Sequence, residues 1–401
     1  MIAPNQQEWG GLQNMAHERA RFLNAHLKRQ GKLWPVVGVV GLRQSGKTTM
    51  LRDQLQISSY VTLDDDDDLT AAHAAPKVFI ARHSLPLIID EIQKAPKLFD
   101  AIKLLVDKKR IPGQFYITGS TQFSDRVGIR ESLTGRIGLC QLFPMTLAEA
   151  QKHPPLTSLP KLSSAPRFSW ESLLQHSSKG GMPVPMFLRD ESQVKDYWKG
   201  WLETSIYRDL AICFKKSYQP ETTKLILRTM GRVMAEGEMP TLSHFEIDSR
   251  RLRNYLEAME TIFMVRRISC HERGVGKDVW VFGDSGLAEY CIGNSKSDQA
   301  TLSLIRHTLW NETSALMGYV GVSDNRQYFK SARGTMVDWV WDNIPMKIVT
   351  SLNQRAFHER ALRGAMAALD AKTGYLIAPT DRLETPPKAG GVGVLPWGMW
   401  S

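Results

Sequence analysis

Short apolar runs alternate with helix-periodic stretches through the first third of the chain. The apolar runs fall at 36–40, 60–63, 85–89, 115–118 and 138–142. Several are rich in valine and isoleucine, the mark of strands buried on both faces. Between and after them, 48–55, 96–109 and 147–151 carry apolar residues at helical spacing. The alternation predicts an α/β fold, a parallel sheet covered by helices, from about residue 32 to 150. An amphipathic helix over 15–31, closed by Gly31, precedes it. Residues 151–168 are rich in proline and serine and read as a linker. From Trp170 to about Arg267 the spacing is helical, 279–293 reads as strand, turn and short helix, and the last hundred residues return to mixed α/β. The predicted domains are therefore 1–150, a linker at 151–170, then 171–295 and 296–401.

The first apolar run stops at Gly41 and is followed by Gly-Leu-Arg-Gln-Ser-Gly-Lys-Thr-Thr, residues 41–49. This fits the phosphate-loop spacing of two glycines, a lysine and a hydroxyl residue, between a strand and a helix. Glycines let successive amides point at one centre, and the helix start adds its positive end. The pattern assigns nucleotide contacts to Gly41, Arg43, Gln44, Ser45, Gly46, Lys47, Thr48 and Thr49. Lys47 would reach the β- and γ-phosphates and the Thr48 hydroxyl would hold Mg²⁺.

The third run ends in Asp90-Glu91 and would lie on a neighbouring strand. Asp90 is expected to help hold Mg²⁺ and Glu91 to act as general base for water. Ser120, ending FYITGS, is a candidate sensor between phosphate and water. Arg136, in ESLTGRIG, is a candidate arginine finger for its own nucleotide or for a neighbour's.

GLRQSGKTT, LIIDEIQKAPKLFDAIKLLVD, QFYITGS and ESLTGRI, in this order, resemble one branch of the AAA superfamily. Its members are bacterial and archaeal ATP-binding proteins with a C-terminal domain of unknown function. The likeness is close over about 37–150 and continues more weakly through GGMPV, SIYRDLA and VWVFGDSGLAEYCIG. It implies a P-loop ATPase core, a winged-helix segment and a restriction-endonuclease-like tail. One departure is Gly-Ser-Thr-Gln at 119–122, where the usual pattern is Gly-Ser-Gln.

Residues 223–267 resemble the winged-helix unit. On its second helix Arg250, Arg251 and Arg253 would face DNA phosphates while Leu252, Tyr255 and Leu256 face the core. In the tail, an endonuclease needs a strand carboxylate followed by Glu-x-Lys on the next strand. Glu312 and Asp338 could supply the first position, but the second reads Lys347-Ile348-Val349. A cation where Mg²⁺ should sit repels it, so the fold is expected without nuclease chemistry, binding DNA or a protein instead. Asp64–Asp68, five aspartates in a row, are expected to form a solvated loop, since neighbours on an extended chain point opposite ways.

Charge adds one permission. The 401 residues carry 51 basic and 41 acidic side chains, a net charge of +10, which allows a polyanionic partner. Four scattered cysteines match no metal spacing and read as reduced thiols. There is no leader-like start and no apolar run of membrane-spanning length, so a cytoplasmic protein without membrane contact is expected. The reading is an ATP- and Mg²⁺-dependent ATPase, a homo-oligomeric switch or assembly factor whose partners are ATP and double-stranded DNA. A nucleotide-controlled protein scaffold is the alternative, and an ATP-regulated nuclease a third.

Overall fold

The computed structural model describes residues 19–123, 133–159, 161, 166–214, 218–293, 295, 297–388 and 390–400. Residues 15–18 of the expected first helix, and Glu131 and Ser132 of the ESLTGRI stretch, lie outside the described residues. Two compact units are present, one of residues 1–155 with 261–263, the other of 156–260 with 264–401. The division falls within the proline- and serine-rich stretch.

In the first unit, α1 (Leu23–Leu33) runs two residues past Gly31 before Trp34 caps it through its N–H to the Gln30 carbonyl. β1 (Val36–Val40) follows, then α2 (Lys47–Gln54), β2 (Ser59–Thr62), α3 (Asp66–Ala74), α4 (Pro76–Ala81), β3 (Leu87–Asp90), α5 (Lys97–Lys108), β4 (Phe115–Gly119), β5 (Ile137–Gln141) and α6 (Leu147–Ala150). The five strands form one parallel sheet in the order β2-β3-β4-β1-β5. β1, β3 and β4 are buried along their whole length, as their unbroken apolar sequences require, and β2 and β5 at the edges are half-exposed. α5 turns Leu98, Phe99, Ile102 and Val106 inward at helical spacing.

Two expectations change here. β3 does not lie beside β1, because β4 is inserted between them. Strand order depends on crossovers, which no single strand's composition records. The five aspartates are not a loop. Asp66–Asp68 form the first turn of α3, and Asp65 caps it, accepting the amides of Asp67 and Asp68 at 3.0 Å each. Carboxylates at a helix start meet the positive end of its dipole, so the run favours helix once Asp65 supplies the cap.

The second unit opens with α7 (Trp170–Lys179), α8 (Pro183–Phe187) and α9 (Glu191–Thr204). α9 widens into a π-helical stretch at Ser205–Leu210. α10 (Pro220–Ala235), a short turn at Leu242–His244 and α11 (Ser249–Thr261) precede an antiparallel pair, β6 (Val265–Ile268) and β7 (Val279–Phe282). Then come α12 (Ser285–Ile292) and the long α13 (Asp298–Val320), buried on nearly every side. A mixed sheet follows in the order β12-β11-β10-β9-β8, from β8 (Gln327–Lys330), β9 (Met336–Trp341), β10 (Ile344–Ile348), β11 (Thr373–Ala378) and β12 (Gly391–Pro396). β8, β9 and β10 are antiparallel neighbours; β10 crosses over through α14 (Arg355–Leu369) to parallel β11 and β12. The β9–β10 turn is Asp342-Asn343, both at positive φ, the pairing a two-residue hairpin favours. Near the end of the chain Trp397, Met399 and Trp400 are buried, and the Trp397 indole donates to the Ile377 carbonyl at 3.1 Å.

Candidate active site

The site lies at the carboxyl ends of β1, β3 and β4, where a parallel sheet presents its loops. Gly41 leaves β1 at φ 154°, and a Cβ there would sit 2.2 Å from the Leu142 carbonyl oxygen, so no other residue fits. Gly46 caps α2 in the left-handed region at φ 93°, and Gln44 turns the loop at φ 63°. α2 therefore begins at Lys47, with its first amides unpaired within the helix, as at any helix start. Lys47 is buried, and its ammonium donates back to the carbonyls of Gly41 at 3.0 Å and Leu42 at 2.8 Å. The charge thus stands over the loop. Arg43 is half-buried and Gln44 exposed.

Thr48 joins the loop to β3. Its hydroxyl donates to Asp90 Oδ2 at 2.7 Å. Asp90 is buried, and two further hydroxyls donate to it: Tyr60 from β2, to Oδ2 at 3.1 Å, and Thr118 from β4, to Oδ1. A carboxylate has only acceptors, so three converging donors hold it without repulsion. Burial, with the Asp90 carboxylate second, pushes the Tyr60 hydroxyl up to about 12, so it stays a donor. A threonine hydroxyl and a carboxylate oxygen at this separation suit an oxygen-seeking divalent cation such as Mg²⁺.

Glu91 follows in a left-handed conformation at φ 53°. Its amide donates to Thr118 Oγ1 at 3.1 Å, so one threonine touches both acidic residues. Ser120 Oγ donates to Glu91 Oε2 at 3.2 Å, and the Gln93 amide donates to the same oxygen. Lys47, Thr48, Asp90, Glu91 and Ser120, far apart in sequence, thus meet at the carboxyl end of the sheet.

Arg136 does not join them within its own chain. It lies just before β5, whose first residue pairs with Val36 at the start of β1. About five strand residues at ~3.3 Å each separate that end from the loop, roughly 16 Å. There it grips Asp107 with two bonds, Nε to Oδ1 at 2.6 Å and Nη2 to Oδ2 at 3.0 Å. That bidentate bond holds the Asp107 carboxyl below, and the guanidinium above, their ordinary values. In this position Arg136 is held away from the phosphate loop of its own chain.

Four residues of this site escaped the sequence reading. Tyr60, Thr118 and Gln93 are named above. The fourth is Arg21, buried, which donates to the Ser45 carbonyl at 2.7 Å, the Phe143 carbonyl at 2.6 Å and Glu149 Oε1 at 3.1 Å. It braces the back of the loop. Thr118 and Gln93 each lie two residues from an assigned residue, a spacing that could have flagged them; Arg21 has no such signal.

In the second unit Arg250, Arg251 and Arg253 are exposed on α11 while Leu252, Tyr255 and Leu256 are buried, the expected division of faces. Arg251 already donates to Gln219 at 2.5 Å and Thr222 at 2.8 Å. In the tail, Asp338 is buried, paired with Arg306 at 2.6 Å, and accepts the Ile348 amide at 2.7 Å. Glu312 contacts His176 at 2.9 Å. Lys347 donates to the Met336 carbonyl at 3.2 Å, and burial pulls its ammonium below the ordinary lysine value while Asp338 opposes that. Among the described residues no group of three acidic, histidine or cysteine side chains could hold a metal ion. No helix among them is long and apolar enough to cross a membrane.

Residues 34–151 match the family described as AAA domain. Over 259 residues the chain is 28% identical to uncharacterized proteins of Mycobacterium bovis and Mycobacterium tuberculosis, an overlap of 63% of this chain and 54% of each relative. The chain thus spans about half the length of the curated relatives it matches. A solved structure described as a Walker-type ATPase of Pyrococcus abyssi is similar at 11% identity and a TM-score of 0.39, over 69% of this chain and 99% of that one.

Proposed function

We propose that this chain, whose residues 34–151 match the family described as AAA domain, binds ATP with Mg²⁺, hydrolyses it, and uses the cycle as a switch for DNA binding. The observation that carries the reading is the 2.7 Å bond from Thr48 to Asp90, with Glu91 beside it. It brings the loop's hydroxyl and the strand's carboxylate together as a magnesium site requires. Lys47 and the loop amides would hold the phosphates, and Thr48 and Asp90 the ion. Mg²⁺, when bound, supplies Lewis-acid neutralisation of phosphate charge. Glu91 takes the proton of the attacking water, and Ser120 stands between that water and the terminal phosphate. Arg136 serves a neighbouring copy in a cytoplasmic homo-oligomer, where its position at the far end of β5 is no obstacle.

Glu91→Gln keeps the shape and removes the base. Nucleotide binding should persist within about threefold while turnover falls by at least ~100-fold, the upper part of the range for a general base. Steady-state ATPase with Mg²⁺ and with chelator, beside equilibrium titration, decides it. Normal turnover in Glu91→Gln removes the assignment; no Mg²⁺-dependent turnover in the wild type removes the reading.

DNA contact is supported by the exposed arginines of α11 and by the antiparallel hairpin that follows it, the arrangement of a winged helix. Nuclease chemistry is not part of the proposal. Asp338 is paired with Arg306, and under the expected endonuclease-like alignment of the tail Lys347 would fall where a metal-holding carboxylate is needed. A second reading, ATP-controlled protein assembly without DNA, is favoured by Tyr207 and Ile212, 54% and 64% exposed on and beside the π-helical turn.

A further inference from the structure

We infer that Gln93 is a positioning residue that aims the Glu91 carboxylate, an inference that rests on the ATPase reading of this site. Glu91 is a non-glycine residue held left-handed, a conformation that L side chains disfavour. It opens the 3₁₀ turn Ile92–Lys94, closed by the Lys94 amide on the Glu91 carbonyl at 3.0 Å and anchored by wholly buried Ile92. That turn folds Gln93 back beside Glu91. The Gln93 amide nitrogen donates to Glu91 Oε2 and to Ser120 Oγ, the latter at 3.3 Å, and Ser120 itself donates to Oε2 at 3.2 Å. Three groups close a triangle on one carboxylate oxygen. The other oxygen, Oε1, has no hydrogen-bond partner among the described residues.

A carboxylate free to rotate offers either oxygen in any direction. One pinned twice through Oε2 offers Oε1 along a fixed line, which is what taking a proton from an oriented water requires. The neighbouring strand accommodates the clamp. A Cβ on Gly119 would meet Gln93 Oε1 at 2.8 Å and the Phe123 ring at 2.5 Å, so a side chain there would push Gln93 or the ring aside. A residue that merely filled the turn would not need an amide directed at two partners.

The test is Gln93→Met in the full chain, which keeps the length and loses the donor. Turnover number should fall about tenfold, a modest share of the hundredfold that ~1 Å of misplacement can cost. Affinity for a fluorescent ATP analogue should stay within about twofold, because the Gln93 amide bonds Glu91 and Ser120, the groups assigned to hydrolysis and not to holding phosphate. In a Glu91→Gln background, where the aimed group is already gone, Gln93→Met should cost nothing more. An unchanged turnover number, an equal loss in the Glu91→Gln background, or a parallel loss of nucleotide affinity would each overturn the inference. Should Gln93→Met fail to fold, Gln93→Asn, one methylene too short to reach, is measured against the same thresholds. A wild-type chain that turns over ATP beside an unaffected variant sinks this inference alone; a wild-type chain without turnover sinks it together with the ATPase reading.

Discussion

Lys47 concentrates the site's charge in one side chain, and its two bonds to loop carbonyls show what a ligand must replace. Phosphate oxygens are stronger acceptors for an ammonium than backbone carbonyls. Charge-assisted bonds of that kind contribute ~2–3 kcal/mol. Lys47→Ala should therefore weaken ATP binding by roughly 30- to 150-fold, measured by titration calorimetry, with the melting temperature of the free protein little changed. Affinity within threefold of wild type would remove Lys47 from the phosphate site. This residue was legible in the sequence because its neighbours fix its chemistry over eight positions, from Gly41 to Thr48. Tyr60 and Thr118 were not. Each acts on Asp90 from another strand, 30 and 28 positions away, and a tyrosine or threonine on a buried strand carries no mark of what its hydroxyl touches.

Elements follow the same rule: local chemistry was readable and pairing was not. All five strands of the first sheet and α2, α5 and α6 lie within one or two residues of their sequence positions. The insertion of β4 between β1 and β3 was hidden, because order is set by how each crossover returns to the sheet. The aspartate run shows the reverse failure, a local cap overlooked in favour of charge. In the second unit, β9 and α13 are joined by the buried Arg306–Asp338 pair, whose side chains are 6% and 0% exposed. Asp338→Ala would leave a guanidinium buried and the Ile348 amide without its acceptor. That costs ~3–5 kcal/mol, whereas replacing both ions by apolar groups of similar size is often neutral. Asp338→Ala should lower the urea midpoint followed by tryptophan fluorescence, and Asp338→Leu with Arg306→Met should restore most of it. A single variant within ~1 kcal/mol of wild type would mean the pair is solvated and Asp338 available for other chemistry. The same pair bears on why a nuclease reading of the tail is unattractive: a metal ion at Asp338 would meet the positive guanidinium of Arg306, 2.6 Å from that carboxylate, whereas only neutral hydroxyls donate to Asp90.

At the scale of the whole molecule, a net charge of +10 does not by itself say where a polyanion lies. Arg250 and Arg253 are exposed on α11, whereas Arg251 already bonds Gln219 and Thr222 and has a guanidinium 5.9 Å from the Tyr255 ring centre. The three are therefore not equivalent. Each phosphate neutralised on duplex DNA releases about 0.9 of a counterion, which sets the slope of log affinity against log salt. Arg250→Ala and Arg253→Ala should each reduce that slope by about 0.9, and Arg251→Ala by less, since its guanidinium must first give up two bonds. Fluorescence anisotropy on a short duplex from low to moderate salt gives the slopes. ATP turnover measured alongside should rise with DNA at low salt, and the rise should fade as salt is added. If the slopes of all three variants match wild type, the arginine face of α11 is not on the DNA. If turnover ignores DNA at every salt concentration, the hydrolysis cycle answers to something else, and the exposed Tyr207 and Ile212 become the surface to test with protein partners.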